Sequence, residues 1–391
     1  PNRLVTMTKS MTKDTAIISQ LQQDIINNSQ KGFPLTSQPY KTIAEQLAHV
    51  NIVTNELEVF QAIDDLNSQE VLSRVGPVFD HKKAGASTLA ALAVPAKDLD
   101  KVAGIVNQFD QVNHNYGREH TYNLWFVITA SDMVALKNTI INIELLTGLP
   151  VLVLPMEASY HIDLAFSINV TGVESPFYKH ESKTLSQPIT DNNSDTICLS
   201  EIEKRALRGA IEKGLPTHLF PYQVIADQLA LTEQQVLVQI ANWQEDGLIR
   251  RFGLVIKHRK LGYDANAMVV WSIPNDDMDA VAQKLAKCAP VSLCYQRPRR
   301  LPDWPYNLFC MIHGTDRTLV LQQISQITEQ LGLESIEKDV LFSFKAYKQH
   351  GARYCKAKSC KTKNVKTKTS KINAGNTENN NDIKKQGQAH G

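Results

Sequence analysis

The feature that most constrains this chain is an internal repeat. GFPLTSQPYKTIAEQL at Gly32–Leu47 and GLPTHLFPYQVIADQL at Gly214–Leu229 are identical at 8 of 16 aligned positions without a gap. The correspondence continues beyond them: SRVGPVFDHKKAG (Ser73–Gly85) answers IRRFGLVIKHRKLG (Ile249–Gly262), which sets His81 opposite His258. VNHNYGREHTYNLWF (Val112–Phe126) answers VSLCYQRPRRLPDWPYNLFC (Val291–Cys310), the second with a five-residue insertion. A duplicated sequence of this length must fold as two copies of one unit.

Each copy opens with a helical pattern (Ala16–Asn27; Glu201–Lys213), breaks at Gly-Xaa-Pro, and continues with two amphipathic stretches: Lys41–Leu47 with Glu56–Leu66, and Gln223–Leu229 with Gln234–Trp243. This predicts a winged helix-turn-helix, with wings at Val71–Asp80 and Leu248–Lys257. An apolar strand ending in Pro follows (Thr88–Pro95; Ala267–Pro274), then a helix (Leu99–Phe109; Met278–Lys287) and two strands around the second repeated motif. A further helix (Asp132–Thr147; Thr318–Leu331) and an alternating strand (Tyr160–Ser167; Val340–Tyr347) complete a ferredoxin-like βαββαβ order. The expected class is α+β, two tandem Lrp/AsnC-type units. Helix-turn-helix domains are expected at 14–82 and 198–259, ferredoxin-like domains at 83–172 and 260–354, a polar linker at 173–197 and a disordered basic tail at 355–391.

Charge bears on partners. Of 42 Lys/Arg and 40 Asp/Glu, 10 and 2 fall in residues 351–391, leaving residues 1–350 with 32 against 38. The first would-be reading helix lies in Asn51–Glu70, which has no Lys or Arg and carries Glu56, Glu58, Asp64, Asp65 and Glu70; Leu231–Gly247 in the second copy also lacks cations. Phosphate neutralisation supplies much of the affinity for DNA, so sequence-specific DNA binding is not expected. No apolar run approaches the roughly 20 residues of a membrane span, and PNRLVTMTKSMTKD at the start lacks the apolar core of a signal peptide. A cytoplasmic protein is expected. Cys198, Cys288, Cys294, Cys310, Cys355 and Cys360 form no CxxC pair and no zinc-site spacing, so no metal site and reduced thiols are expected.

Titratable and cationic groups gather in the second repeated motif. Copy one offers His114, Tyr116, Arg118, Glu119, His120 and Tyr122; copy two offers Tyr295, Arg297, Arg299, Arg300, Trp304 and Tyr306. Two histidines, an arginine and two tyrosines at short spacing combine proton transfer near neutral pH with a carboxylate anchor. His161 and His313 stand apart in sequence and read as satisfied or solvated side chains.

HNYGREHTYNLWF and CYQRPRRLPDWPYNLFCMIHG, supported by GASTLAALAVP and LGYDANAMVVWSIP, resemble the two related halves of sirohaem decarboxylases, Lrp/AsnC-like proteins of haem d1 biosynthesis and of the alternative haem route. The first copy resembles the D-type (or A-type) subunit and the second the L-type (or B-type) subunit, over about Asp14 to Tyr354. The resemblance implies removal of CO2 from the C12 and C18 acetates of sirohaem, giving 12,18-didecarboxysirohaem. It implies no cofactor, the iron belonging to the substrate, and a related decarboxylase subunit as a candidate partner. His114 and His120 become the candidate catalytic residues; Arg118, Arg297, Arg299 and Arg300 would hold carboxylates, and Tyr122, Trp304 and Tyr306 would line the macrocycle. Leu293 replaces His114 in the second copy, and Arg300 or the inserted LPDWP stands near the place of His120, so the copies cannot be chemically equivalent. A composite pocket within an internal pseudo-dimer is the expected solution. An Lrp/AsnC-like regulator and a non-catalytic tetrapyrrole-binding protein are the alternatives.

Overall fold

The computed structural model describes residues 16–162 and 198–355; the expected linker, most of the basic tail and positions 163–167 lie outside the described residues. Helices α1 (Gln20–Ser29), α2 (Pro39–Ala48) and α3 (Glu56–Ser68) of the first copy answer α7 (Glu201–Ile211), α8 (Pro221–Leu229) and α9 (Glu233–Glu245) of the second. Their ends are locally encoded. Ser19 with Gln22 and Ser200 with Glu203 form capping boxes on α1 and α7, and Pro39 and Pro221 occupy the first turns of α2 and α8. No helix among the described residues is long and apolar enough to cross a membrane.

The segments expected to be wings are strands, β1 (Leu72–Phe79) and β7 (Ile249–Ile256), but neither folds into a hairpin of its own copy. They pair antiparallel with each other, with Gly76 opposite Gly253. Each strand offers its apolar residues to the other copy, so both helix-turn-helix units share one core that includes Ile25, Leu47, Leu66, Leu207, Tyr222, Ile240 and Phe252. Gly253 is sterically required, because a Cβ there would stand 2.2 Å from the Gln30 carbonyl oxygen.

The remaining strands are β2 (Ala86–Leu92), β3 (Val112–Arg118), β4 (Leu124–Ala130), β5 (Leu152–Leu154) and β6 (Ala158–Ile162) in the first copy. In the second they are β8 (Ala265–Trp271), β9 (Val291–Gln296), β10 (Leu308–Gly314) and β11 (Lys338–Gln349). They form a nine-stranded sheet in the order β5-β2-β4-β3-β11-β8-β10-β9-β6. Here the structure corrects the expected βαββαβ of the first copy. Its own fourth strand is only Leu152–Leu154, on β2, while Ala158–Ile162 crosses over to pair with β9. Reciprocally, Lys338–Phe342 of β11 pair with β8, and from Ser343 onward the strand pairs with β3 of the first copy. A strand at a sheet edge with unpaired backbone groups seeks a partner, and each copy supplies it to the other.

Alternation along these strands builds two kinds of core. Leu124, Phe126 and Ile128 of β4 pack under α5 (Leu99–Asn107) and α6 (Met133–Thr147); Val269, Trp271, Cys310 and Ile312 pack under α10 (Met278–Lys287) and α11 (Arg317–Gln330). The opposite face contributes Trp125, Met268, Val270, Trp304, Phe309 and Leu341 to a core between the two halves, which is the internal pseudo-dimer. At the chain's last described residues, Glu212 accepts hydrogen bonds from the Tyr354 and Cys355 N–H groups, so the ordered body extends to Cys355, one residue into the segment expected to be tail. Gly253→Ala is expected to destabilise the chain by about 1–3 kcal/mol, the usual cost of forcing atoms into a packed site, read from the urea midpoint; an unchanged midpoint would refute the tight crossing.

Candidate active site

The period of β3 divides its residues between two faces. Asn115 turns to the helices, where its Nδ2 donates to Asn107 Oδ1 at 3.0 Å, so His114, Tyr116 and Arg118 face the other way. Arg118 Nη1 donates to the Leu341 carbonyl at 2.8 Å, and the guanidinium lies 5.9 Å from the Tyr116 ring centroid; the His114 ring stacks on Tyr116 at 6.1 Å. The second copy meets this face with His258 and Arg259, from the turn after β7, and with His313 on β10. The His258 and His313 rings are 4.9 Å apart, His313 Nδ1 is 3.0 Å from Ser292 Oγ, and Arg259 Nη2 donates to Ser343.

This cluster is cationic and enclosed. Burial first, then the charges of His350, Arg74 and His258, lower the His114 pKa to about 4. Burial and Arg259 lower His258 to about 4, with Asp264 opposing, and burial with His258, Arg118 and Arg259 drives His313 well below its ordinary value. Burial brings even Arg118 down to about 10. His114 Nδ1, Arg118 Nε and Arg259 Nε have no hydrogen-bond partner among the described residues. Buried donors of this kind, with atoms left unpartnered, are costly by themselves and complementary to an anion.

His120 belongs to a different place. The chain leaves the sheet after Arg118, and His120 enters an open cavity of about 360 Å³ together with Tyr122, Asp303, Trp304, Tyr306 and Glu337. Its Nδ1 accepts from the Tyr122 N–H at 2.9 Å, which leaves Nε2 directed to Asp339 at 3.5 Å. Burial lowers its pKa and the Asp339 carboxylate opposes that. The imidazole stacks on Tyr122 and meets Trp304 edge-on at 5.4 Å. Asn123 and Asn307 each clamp a backbone, Asn123 that of Val94 and Asn307 that of Ile273, through one donated and one accepted bond. This equivalence sets Tyr122 against Tyr306 and His120 against Trp304 in the repeat, and all four line one cavity.

Thus His114 and Arg118 are brought together, as are His120, Tyr122, Trp304 and Tyr306, but the two histidines do not share a pocket. Arg297, the counterpart of Arg118, is buried on the other half: its Nη1 donates to the Leu154 carbonyl at 2.6 Å and its guanidinium lies 5.5 Å from the Tyr295 ring centroid. Arg299 is spent on the loop itself, donating to Pro305 O, Asn275 Oδ1 and Ile273 O. Exposed Arg300 donates to Val153 O at 3.0 Å and closes the inserted turn through reciprocal backbone bonds with Trp304.

Comparison with known proteins decides what this arrangement belongs to. The AsnC-like ligand binding domain family matches residues 83–161 and 260–348, and the siroheme decarboxylase NirDL-like HTH domain family matches residues 22–72 and 203–250. The siroheme decarboxylase NirDL subunit of Paracoccus denitrificans is 34% identical over 336 residues, 86% of this chain and 97% of that protein. The chain belongs to the sirohaem decarboxylase family. The NirL subunit of Stutzerimonas stutzeri is 50% identical over 40% of this chain and 92% of its own length; the NirD subunit of Pseudomonas aeruginosa is 46% identical over 39% and 99%. The crystal structure of the siroheme decarboxylase NirDL shares the fold, with TM-score 0.60 and 23% identity over 85% of this chain and 94% of that one; it has also been solved in co-complex with an iron-uroporphyrin III analogue.

Within this family member, sequence reasoning passed over His258, Arg259, Arg74 and His313 as site residues. The conserved place of His258 opposite His81 in the repeat was a usable signal; His313, read as standing apart, is brought in only by the pairing of β8 with β10. Asp339 likewise lies far from its histidine in sequence. The depressed histidines set a pH dependence. Below their ordinary pKa of 6.5 the unfolded chain binds protons that folded His114 and His258 refuse until about pH 4. Folding stability of the ligand-free chain should therefore fall as pH drops from about 6.5 towards 4, and His114→Asn should flatten that slope in denaturant melts; an unaltered slope would refute the burial of a neutral His114.

Proposed function

We propose that this chain is a sirohaem decarboxylase that removes CO2 from the C12 and C18 acetates, giving 12,18-didecarboxysirohaem for haem d1 or alternative haem synthesis. The observation that carries this reading is the enclosed cluster of His114, Arg118, His258, Arg259 and His313, in which imidazoles and guanidiniums converge and His114 Nδ1, Arg118 Nε and Arg259 Nε have no hydrogen-bond partner among the described residues. A polycarboxylate macrocycle supplies the missing charge. Each turnover breaks the bond between an acetate methylene and its carboxylate; CO2 leaves, the electron pair passes toward the pyrrole and back to the methylene, and one proton completes the methyl group. An imidazolium beside the pyrrole supplies that proton and stabilises the developing charge.

His114 is neutral in the ligand-free chain at neutral pH, because burial and its cationic neighbours suppress its charge. Substrate carboxylates entering the cluster reverse the second cause, so the acid forms where the anion binds. His120 acts from the aromatic cavity, held by the Tyr122 N–H and Asp339, where Tyr122, Trp304 and Tyr306 face one edge of the macrocycle. Arg297 serves the carboxylates of the other half, whereas Arg299 and Arg300 support binding by fixing the loop that carries Trp304. In this reading the protein needs no cofactor of its own, since the iron arrives with the substrate. It works in the cytoplasm, in keeping with the free thiols of all five described cysteines, and a related decarboxylase subunit remains a candidate partner. The absence of Lys and Arg from α3 and α9 weighs against the regulator reading.

Anaerobic incubation with sirohaem, followed by mass, should show two successive losses of about 44 Da, one CO2 each, as acid-assisted decarboxylation requires. Binding without mass loss would support a non-catalytic tetrapyrrole binder. His114→Ala and His120→Ala should fold and bind yet lose at least about 100-fold in turnover, the usual contribution of a positioned acid; wild-type rates in both would sink the assignment. Arg118→Gln should instead weaken binding of an iron-uroporphyrin analogue by about 10-fold or more, the loss of a charge-assisted contact.

A further inference from the structure

Helices α6 and α11 are the same element in the two halves. Each is N-capped by an aspartate, Asp132 Oδ1 accepting from the Ala135 N–H and Asp316 Oδ1 from the Leu319 N–H, and each packs an inner face onto its sheet through Leu136 and Ile143 or through Val320 and Ile327. Their outer faces differ. Counted from the caps, Met133, Val134, Ile141, Leu145 and Leu146 of α6 stand where α11 has Arg317, Thr318, Ser325, Glu329 and Gln330. These five α6 side chains are 51–75% exposed. The sister helix shows what this position carries when water covers it, so the apolar version is a face that something else covers.

Its centre is a stripe, Val134, Ile141 and Leu145, spaced i, i+7, i+11 and confined to about 40° of the helix circumference. Exposed Lys137 and half-buried Glu144 flank it on one side, one Glu144 oxygen being fixed by the Val151 N–H at 3.0 Å.

We infer that a second copy of this chain covers this face, through an antiparallel contact of α6 with α6 about a two-fold axis. With the axis between Ile140 and Ile141, Lys137 comes opposite Glu144 twice, Ile141 lies beside its own counterpart, and Val134 of one copy lies within a helical turn of Leu145 of the other. The face therefore pairs apolar with apolar and Lys137 with Glu144 across the axis, as an isologous interface requires. The contact leaves the inter-half core untouched and makes a dimer of pseudo-dimers.

Sedimentation velocity on the full chain at micromolar concentration tests this. The expected species has twice the 43.7 kDa chain mass. Ile141→Glu and Leu145→Glu should each weaken association at least tenfold, with circular dichroism and melting temperature held. Lys137→Glu should weaken it as well, and combining it with Glu144→Lys should restore it, because the swapped charges meet again across the two-fold. A wild-type chain that stays at single mass, or associates only when a related subunit is added, overturns the inference. So does a dimer that survives Ile141→Glu, or a charge swap that fails to recover what Lys137→Glu loses.

Discussion

The exchange of terminal strands between the copies is the constraint on which the rest of the structure depends. β11 carries one hydrogen-bond ladder to β8 of its own half and another to β3 of the other, and β6 repays the first half's debt to β9. A ferredoxin-like sheet ends on an open edge unless something covers it. Because β3 and β9, one edge of each half, are closed by strands of the other copy, the halves cannot part without exposing backbone donors and acceptors. The register that results also aims the site: Arg118 stands opposite Ser343 in the β3–β11 ladder, within reach of the Leu341 carbonyl, and Glu119 N–H binds Phe342 O just beyond. From there the chain turns out of the sheet, which separates His114 from His120.

That separation was not legible in the sequence, and the reason is geometric. Six residues is a short distance in sequence, but a strand advances about 3.3 Å per residue, so a motif lying along it spreads its members instead of gathering them. The residues that do gather come from other elements. His258 and Arg259 arrive because β1 pairs with β7, and His313 because β10 pairs with β8. Such long-range pairings leave no local trace. The helices behaved differently: their capping boxes, prolines and apolar periodicity are local signals, and α3, α9 and α10 fall within a residue or two of where those signals put them. The wing segments lie where the sequence put them, but their pairing with each other was not legible, since alternation shows that a strand wants a partner without showing which.

The duplicated scaffold also explains how one chain holds unlike chemistry at equivalent places. Asp80 lies between the Lys82 and Lys83 N–H groups and binds Arg250 Nε at 2.7 Å, so beside His81 and Arg297 the cationic charge is locally balanced. The repeat sets Lys257 where Asp80 stands, so that place holds no acid on the side of Arg118, and the carboxylate acting on His258 is Asp264. At the same time Leu293 takes the place of His114. Two differences on an unchanged fold thus place the candidate acid His114 on one side only, while Arg118 with Tyr116 and Arg297 with Tyr295 stand as equivalent pairs in the two halves.

An anion entering the charged side does two things with one interaction. It relieves the cost of burying cations near each other, and it offsets the repulsion that, after burial, holds the His114 pKa down. Affinity for the carboxylates and availability of the proton are then coupled, since both draw on the same charges. A chain in which Asp80-like compensation had been kept on both sides would be more stable when empty, but it would have neither the electrostatic pull on a polycarboxylate nor a histidine whose charge depends on one. The instability of the empty cluster is tolerable because the strand exchange and the shared helix-turn-helix core hold its walls in place from both halves.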